Sequence, residues 1–183
     1  MELAARIKNP KFIEAQRMGG FSGRAADVDV ISDLMIHDLD IILSLVPAPL
    51  KHVAAVGSAV LTEHIDIANA RLEFTDGTVA NIVASRVSET KFRSIRVFQP
   101  MTYLSLDMTE QTLDIATPIP TPHSTWPDIQ RERIQIQPTK PLDAELAAFI
   151  DTIRTKSTPI VTGAVGLKAL EVALQIKANI VSN

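Results

Sequence analysis

From Val28 to Val46 the chain reads V-D-V-I-S-D-L-M-I-H-D-L-D-I-I-L-S-L-V, with no Gly or Pro before Pro47. An apolar stretch of that length predicts a helix of about five turns rather than a strand. At about 100° per residue, Asp29, Asp33, His37, Asp40 and Ser44 fall within a stripe roughly 80° wide. Nearly every other position is Val, Ile, Leu or Met. A surface helix carries a broad polar face, so this one is expected to be buried. Its narrow stripe then needs a partner or a cleft, because an unpartnered buried carboxylate is costly. Asp38 lies off the stripe, among Ile31, Ile42 and Leu45, and needs a basic partner or a second exposed edge.

Around this helix the pattern alternates as strands do. Met1 to Lys8 resembles the last turns of a helix, closed by Asn9-Pro10. Phe12 to Met18 fits a strand, and Gly19-Gly20-Phe21-Ser22-Gly23-Arg24 forms a Gly-rich connection to the long helix. Asp27 and Asp29 suit that helix's N-terminus as caps or dipole partners. Leu50 to Leu61 is a candidate strand. In Asp66 to Phe74, Ala68, Ala70, Leu72 and Phe74 share one face, and Asn69, Arg71 and Glu73 share the other. Asp76-Gly77 marks a hairpin into Val79 to Ser88. Further strands are predicted over Phe92 to Gln99, Tyr103 to Asp107, Thr112 to Ala116 and Arg131 to Gln137. Thr117 to Pro127, with four prolines, His123 and Trp126, reads as an extended loop.

Two more helices close the chain. Asp143 to Thr155 is amphipathic, with Leu146, Phe149, Ile150 and Ile153 on its apolar side. A last helix opens at Thr162-Gly163, with Leu167, Leu170, Leu174 and Val181 as its apolar stripe and Lys168, Glu171 and Gln175 facing water. Short turns between successive strands imply an α+β fold, an open and mostly antiparallel sheet with about three helices packed on one face. Val79, Asn81, Val83 and Ser85 alternate with Ala80, Ile82 and Ala84, so both faces of that strand are mild. Helices for one face only leave the other for a second subunit, and a homo-oligomer through the open face is expected.

Composition narrows the setting. The chain has 183 residues, enough for one sizeable domain spanning 1–183. A formal net charge of -3 gives no sign of a general nucleic-acid or acidic-membrane binder. There is no Cys, which removes disulfides, thiol chemistry and Cys-ligated zinc and permits a reducing cytoplasm. No apolar run reaches transmembrane length and the Met1 end lacks a signal-peptide layout, so a cytoplasmic protein is expected.

Candidate chemistry sits on the polar stripe. Asp33 and His37 are one turn apart, so their side chains can meet. A carboxylate beside an imidazole orients it and favours its charged form, which makes an acid/base pair for a hydroxyl proton. The same spacing also fits a buried Asp–His hydrogen bond that only satisfies the helix. A metal site on Asp33, His37 and His64 is a further possibility, although the spacing supplies no more ligands. Arg17 and Arg24 can each hold an oxyanion through bidentate bonds, or pair with Glu14 and Asp27. Arg86, Lys91, Arg93 and Arg96 read as a solvated basic strand edge.

Four motifs in order carry a resemblance. They are Asp33-Leu34-Met35-Ile36-His37-Asp38-Leu39-Asp40, then Asp66 to Gly77, then Ala84-Ser85-Arg86, then Ile160-Val161-Thr162-Gly163 with Gly166-Leu167-Lys168-Ala169-Leu170-Glu171-Val172-Ala173. The chain resembles the C-terminal domain of the glucose–fructose oxidoreductase / inositol dehydrogenase (Gfo/Idh/MocA) family. The resemblance implies an α/β domain around an open sheet, normally joined to an N-terminal Rossmann domain that binds NAD or NADP. It implies that Asp33 and His37 match the family's active-site pair, His37 acting as acid/base on a sugar hydroxyl. The family's usual catalytic Lys, in a Glu-Lys-Pro segment of the N-terminal domain, is not in this chain. Nor is a G-x-G-x-x-G fingerprint, so the cofactor domain is expected to lie outside it. Met35 stands where the family often has Gly. Phe12 to Arg17 and Arg24 to Asp29 are most similar to members acting on nucleotide-linked amino sugars. The expectation is therefore the substrate-side domain of an NAD(P)-dependent oxidoreductase for a sugar or nucleotide-sugar, inactive without its cofactor domain. The alternative is a non-catalytic binding or oligomerisation module of the same fold.

Overall fold

A computed structural model describes residues 2–23, 25–121, 125–137 and 140–181. Eight strands form one sheet: β1 Phe12–Met18, β2 Leu50–Ser58, β3 Ile67–Phe74, β4 Val79–Ser85, β5 Phe92–Gln99, β6 Thr102–Asp107, β7 Thr112–Ile119 and β8 Asp128–Gln135. Their order is β2-β3-β4-β1-β5-β6-β7-β8. Among the described residues only β1 and β4 run parallel; every other neighbouring pair is antiparallel. The expected open, mostly antiparallel α+β sheet is thus present.

Alternation decides which face is covered. Ile13 and Ala15, Ala68 to Phe74 at every second position, Ala80, Ile82 and Ala84, Ile95 and Val97, Leu104 and Leu113 are all buried on one face. Against them lies the first helix, a wide π-turn over Ile31–Met35 that continues as α1, Ile36–Leu45. Ile36 N–H donates to the Ile31 carbonyl five residues back, which sets the wide turn. Ile31, Met35, Leu39 and Ile42 are fully buried. Each such side chain stabilises the fold by about 1.5–3 kcal/mol. The helix is somewhat shorter than the Val28–Val46 pattern, because Asp29 caps it: Ser32 N–H donates to Asp29 Oδ1 at 2.8 Å.

The other two helices depart from expectation in what they bury. In α3, Gly163–Val181, the buried positions are Ala169, Val172, Ala173 and Ile176, while Leu167, Leu170 and Leu174 are exposed. Small residues let α3 lie close to α1 and β2, and the larger leucines stay outside. Lys168, Glu171 and Gln175 are exposed as expected. The third helix, α2 over Pro141–Thr155, buries no residue at all; its Leu146, Phe149, Ile150 and Ile153 are exposed. At the start of the chain only a 3₁₀ turn, Ala4–Arg6, forms, where the sequence resembles a longer helix end. In the hairpin expected at Asp76-Gly77, Gly77 takes φ +85° and Phe74 N–H donates to Thr78 O at 2.9 Å.

Candidate active site

Because β1 and β4 are parallel, their C-terminal ends lie side by side, with Met18 opposite Ser85. The antiparallel β5 begins at the same end, with Arg93 opposite Arg17. The chain leaves β1 through Gly19 and Gly20 and returns as the π-turn over this end. A cleft of about 500 Å³ opens here, lined by Arg17 to Ser22, Ala25, Asp33, Leu34, His37, Arg86, Lys91 and Arg93.

The structure therefore brings His37, Asp33 and Arg17 to one cleft. His37 is exposed and Asp33 half-buried, and no hydrogen bond or ion pair joins the two. Arg24 lies outside the described residues, as does His123. His64, in the turn after β2, is not part of the cleft wall, and no third metal ligand gathers with Asp33 and His37 among the described residues.

The rest of the polar stripe is spent on the fold. Asp29 takes the Lys177 ammonium of α3 at 2.6 Å. Burial pushes its carboxyl up, but the Lys177 and Ser32 hydrogen bonds outweigh that and hold it below its ordinary value. Ser44 is exposed and its hydroxyl donates to the Ile41 carbonyl at 2.6 Å. Asp40 Oδ1 is buried without a partner among the described residues.

Two buried ion pairs build the cleft wall, and sequence reasoning missed both. Arg17 does not pair with Glu14, which meets Arg96 at 3.1 Å instead. Arg17 Nε and Nη2 donate to Asp38 Oδ2 and Oδ1 at 2.8 and 2.7 Å, and Asp38 is fully buried. This is the basic partner that Asp38 required. Its signal was the alternation: Arg17 follows Ile13 and Ala15 on the covered face of β1, toward the helix.

The second pair joins Asp66 to Arg86. Asp66 Oδ2 accepts the backbone N–H groups of Val60, Leu61 and Thr62 at 2.7–2.8 Å, and Oδ1 accepts the Thr62 hydroxyl at 2.9 Å. Burial raises this carboxyl, but these donors outweigh it and hold it far below the usual carboxylate range. Arg86 Nε lies 3.4 Å from Asp66 Oδ1. The same guanidinium donates through Nη1 to Ala25 O at 2.8 Å and through Nη2 to Val28 O. Arg86 thus ties the loop after β2 to the segment that leads into the first helix. Lys91 and Arg93 also reach the cleft rather than an outer edge. Arg93 shares a face with the buried Ile95 and Val97, a spacing visible in the sequence, and Lys91 immediately precedes the strand.

Comparison with known proteins places this open sheet, with its cleft at the end of the β1–β4 pair, in a family. Residues 5–99 match the GFO/IDH/MocA C-terminal domain, and the chain belongs to that family. It is 37% identical, over 92% of its length, to a UDP-N-acetylglucosamine 3-dehydrogenase from Acidithiobacillus ferrooxidans, and spans 54% of that protein. A solved structure of the enzyme of that name from the same organism superposes with a TM-score of 0.89 at 35% identity, covering 98% of this chain and 57% of the other. An NAD-binding protein from Listeria innocua shares the fold, with a TM-score of 0.78 at 21% identity over 100% of this chain and 56% of its own. The chain therefore spans about half the length of these relatives. No helix among the described residues is long and apolar enough to cross a membrane.

Proposed function

We propose that this chain, as one domain over 1–183, is the substrate-side half of a cytoplasmic NAD(P)-dependent oxidoreductase that oxidises a secondary hydroxyl of a nucleotide-linked sugar. The observation that carries it is the cleft at the end of the β1–β4 pair, which holds His37 and Asp33 among cations. The 37% identity to a UDP-N-acetylglucosamine 3-dehydrogenase supports the substrate class. This chain has no dinucleotide fingerprint, so NAD or NADP would be held mainly by a cofactor domain placed against the cleft. When bound, the nicotinamide supplies a hydride acceptor for the carbinol C–H. His37 then accepts the hydroxyl proton as the C=O bond forms, with Asp33 on the preceding turn lining the same cleft. Arg17, held by Asp38, and Arg86, held by Asp66, keep the cleft walls in place around the sugar.

The test is His37→Ala in the protein that joins this chain to its cofactor domain. Turnover on UDP-N-acetylglucosamine should fall about 10²–10⁴-fold, with the urea midpoint unchanged because His37 is exposed. Turnover within a few-fold of wild type would remove His37 from the chemistry.

Assembly is proposed through the open sheet face. Phe12, Phe98 and Tyr103 form an aromatic row there, with ring centroids 5.6 and 5.0 Å apart, and Glu14 and Arg96 lie beside it. A row of this kind, flanked by charge, suits an interface between copies. Sedimentation of Phe98→Glu should show smaller particles than wild type; identical profiles would place any interface elsewhere.

A further inference from the structure

The cleft carries more positive charge than its walls need. Among the described residues, four cations line it: Arg17, Arg86, Lys91 and Arg93. Arg17 gives one edge of its guanidinium, Nε and Nη2, to Asp38. Arg86 donates to two backbone carbonyls and forms an ion pair with Asp66 at 3.4 Å, although its Nε, like that of Arg93, makes no hydrogen bond. Lys91 and Arg93 have no such commitment. No hydrogen bond or ion pair among the described residues engages either side chain, and Arg93 Nε is buried with no partner. Asp33 is the sole carboxylate among the lining residues.

That arrangement is costly for the apo fold. Arg93 sits directly opposite Arg17 in the β1–β5 register, on the same covered face. Like charges directly across strands are destabilising. Asp38 neutralises one of the two and leaves the other. A guanidinium half-buried beside another, with an unsatisfied N–H, is what an anion-binding position looks like before its anion arrives. Lys91, just before the strand and exposed, adds a point charge at the solvent side of the cleft.

We propose that Lys91 and Arg93 bind the diphosphate of the nucleotide-linked sugar, and so select nucleotide-linked substrates over free sugars. This rests on the reading of the cleft as a substrate site. A diphosphate offers oxygens that take a planar fork and a point charge together, and its negative charge offsets the two unpaired cations. The sugar would then extend from this cationic end toward His37 and Asp33 on the facing helix. Arg93 binds the inner phosphate oxygens and Lys91 the outer ones.

The test compares UDP with uridine, which lacks the phosphates, by titration calorimetry on the protein that includes the cofactor domain. Wild type should bind UDP at least about tenfold tighter than uridine. Arg93→Gln and Lys91→Gln should each weaken UDP binding by about tenfold or more, with uridine binding unchanged. On UDP-N-acetylglucosamine the same variants should raise KM about tenfold while kcat stays within about threefold. Lys91 is exposed, so its variant reports on binding even where Arg93→Gln disturbs the sheet. UDP binding no tighter than uridine in wild type, or UDP affinity in Lys91→Gln and Arg93→Gln within twofold of wild type, overturns the assignment. His37→Ala separates the two claims, since it should lose turnover and keep UDP affinity. If it keeps turnover, the acid/base assignment fails while the diphosphate result stands.

Discussion

Arg17 and Asp38 are joined by two parallel hydrogen bonds, 2.8 and 2.7 Å long, between the end of β1 and the first turn of α1. Both residues are buried, Asp38 completely. The pair crosses from sheet to helix at the floor of the cleft, so it fixes the position of the helix that carries Asp33 and His37.

Breaking that pair on one side should cost far more than removing both charges. Asp38→Ala leaves the Arg17 guanidinium buried and unpaired, and should lower unfolding free energy by about 3–5 kcal/mol. The double change Arg17→Met with Asp38→Leu replaces the ions by apolar bulk and should recover most of that loss. Urea unfolding of the wild type, the single and the double variants measures it. A double variant no more stable than Asp38→Ala would show that the pair does more than satisfy two buried charges.

Asp66 makes stability depend on acid in a defined direction. Its folded carboxyl is held well below the usual range, while in the unfolded chain it titrates near the ordinary value of about 3.9. Its contribution is therefore complete above the unfolded value and is lost as pH falls toward the folded one. Asp66→Asn should lower the urea midpoint clearly at pH 7, and the gap to wild type should narrow at pH 3. Equal gaps at both values would mean that the loop hydrogen bonds, rather than the charge, supply the stability.

The strands were legible because their patterns are local. Phe12–Met18 and Phe92–Gln99 match the expected spans, and the alternation of Ala68 to Phe74 predicts their buried face. The site was half legible. Helical spacing placed Asp33 and His37 on one wall, but whether Asp29 and Asp40 joined them depended on α3, whose Lys177 takes Asp29. Arg93 was misjudged by treating its charge as proof of exposure, although its spacing from Ile95 and Val97 put it on the covered face. The α3 stripe failed for a different reason. Leucine marks the more hydrophobic side, yet close packing on α1 and β2 favours the side with Ala169 and Ala173.

Gly57 is a test of that close packing. A Cβ there would lie 2.8 Å from Ile65 Cγ2, 3.0 Å from Ile180 Cδ1 of α3 and 3.1 Å from the Ile67 carbonyl. The side chains can yield, but the β3 backbone cannot move without disturbing its ladder. Gly57→Ala should therefore destabilise by about 1–3 kcal/mol through overpacking, where a better strand former would otherwise help. Differential scanning calorimetry reads this directly. An unchanged or higher Tm would mean that α3 slides away from β2 at little cost.

The described residues leave the apolar side of α2 exposed. Leu146, Phe149, Ile150 and Ile153 recur at helical spacing, and they are 51, 62, 46 and 61% exposed. Pro141 starts the helix and Lys156, at φ +53°, ends it, so its limits are set locally. Local signals are weak, however, and a helix of about 12–15 residues without tertiary packing is marginal in water. In the isolated chain, α2 amides should therefore exchange with solvent far faster than those of α3 around Val172 and Ile176, which pack on α1 and β2. For the same reason Phe149→Ser with Ile153→Ser should change the unfolding free energy by no more than about 0.5 kcal/mol, while lowering the binding of a dye that reports exposed apolar surface. Native-state hydrogen exchange and urea unfolding on one sample measure both. Protection in α2 equal to that in α3, with a loss above about 2 kcal/mol in the double variant, would show that α2 folds onto the sheet in solution.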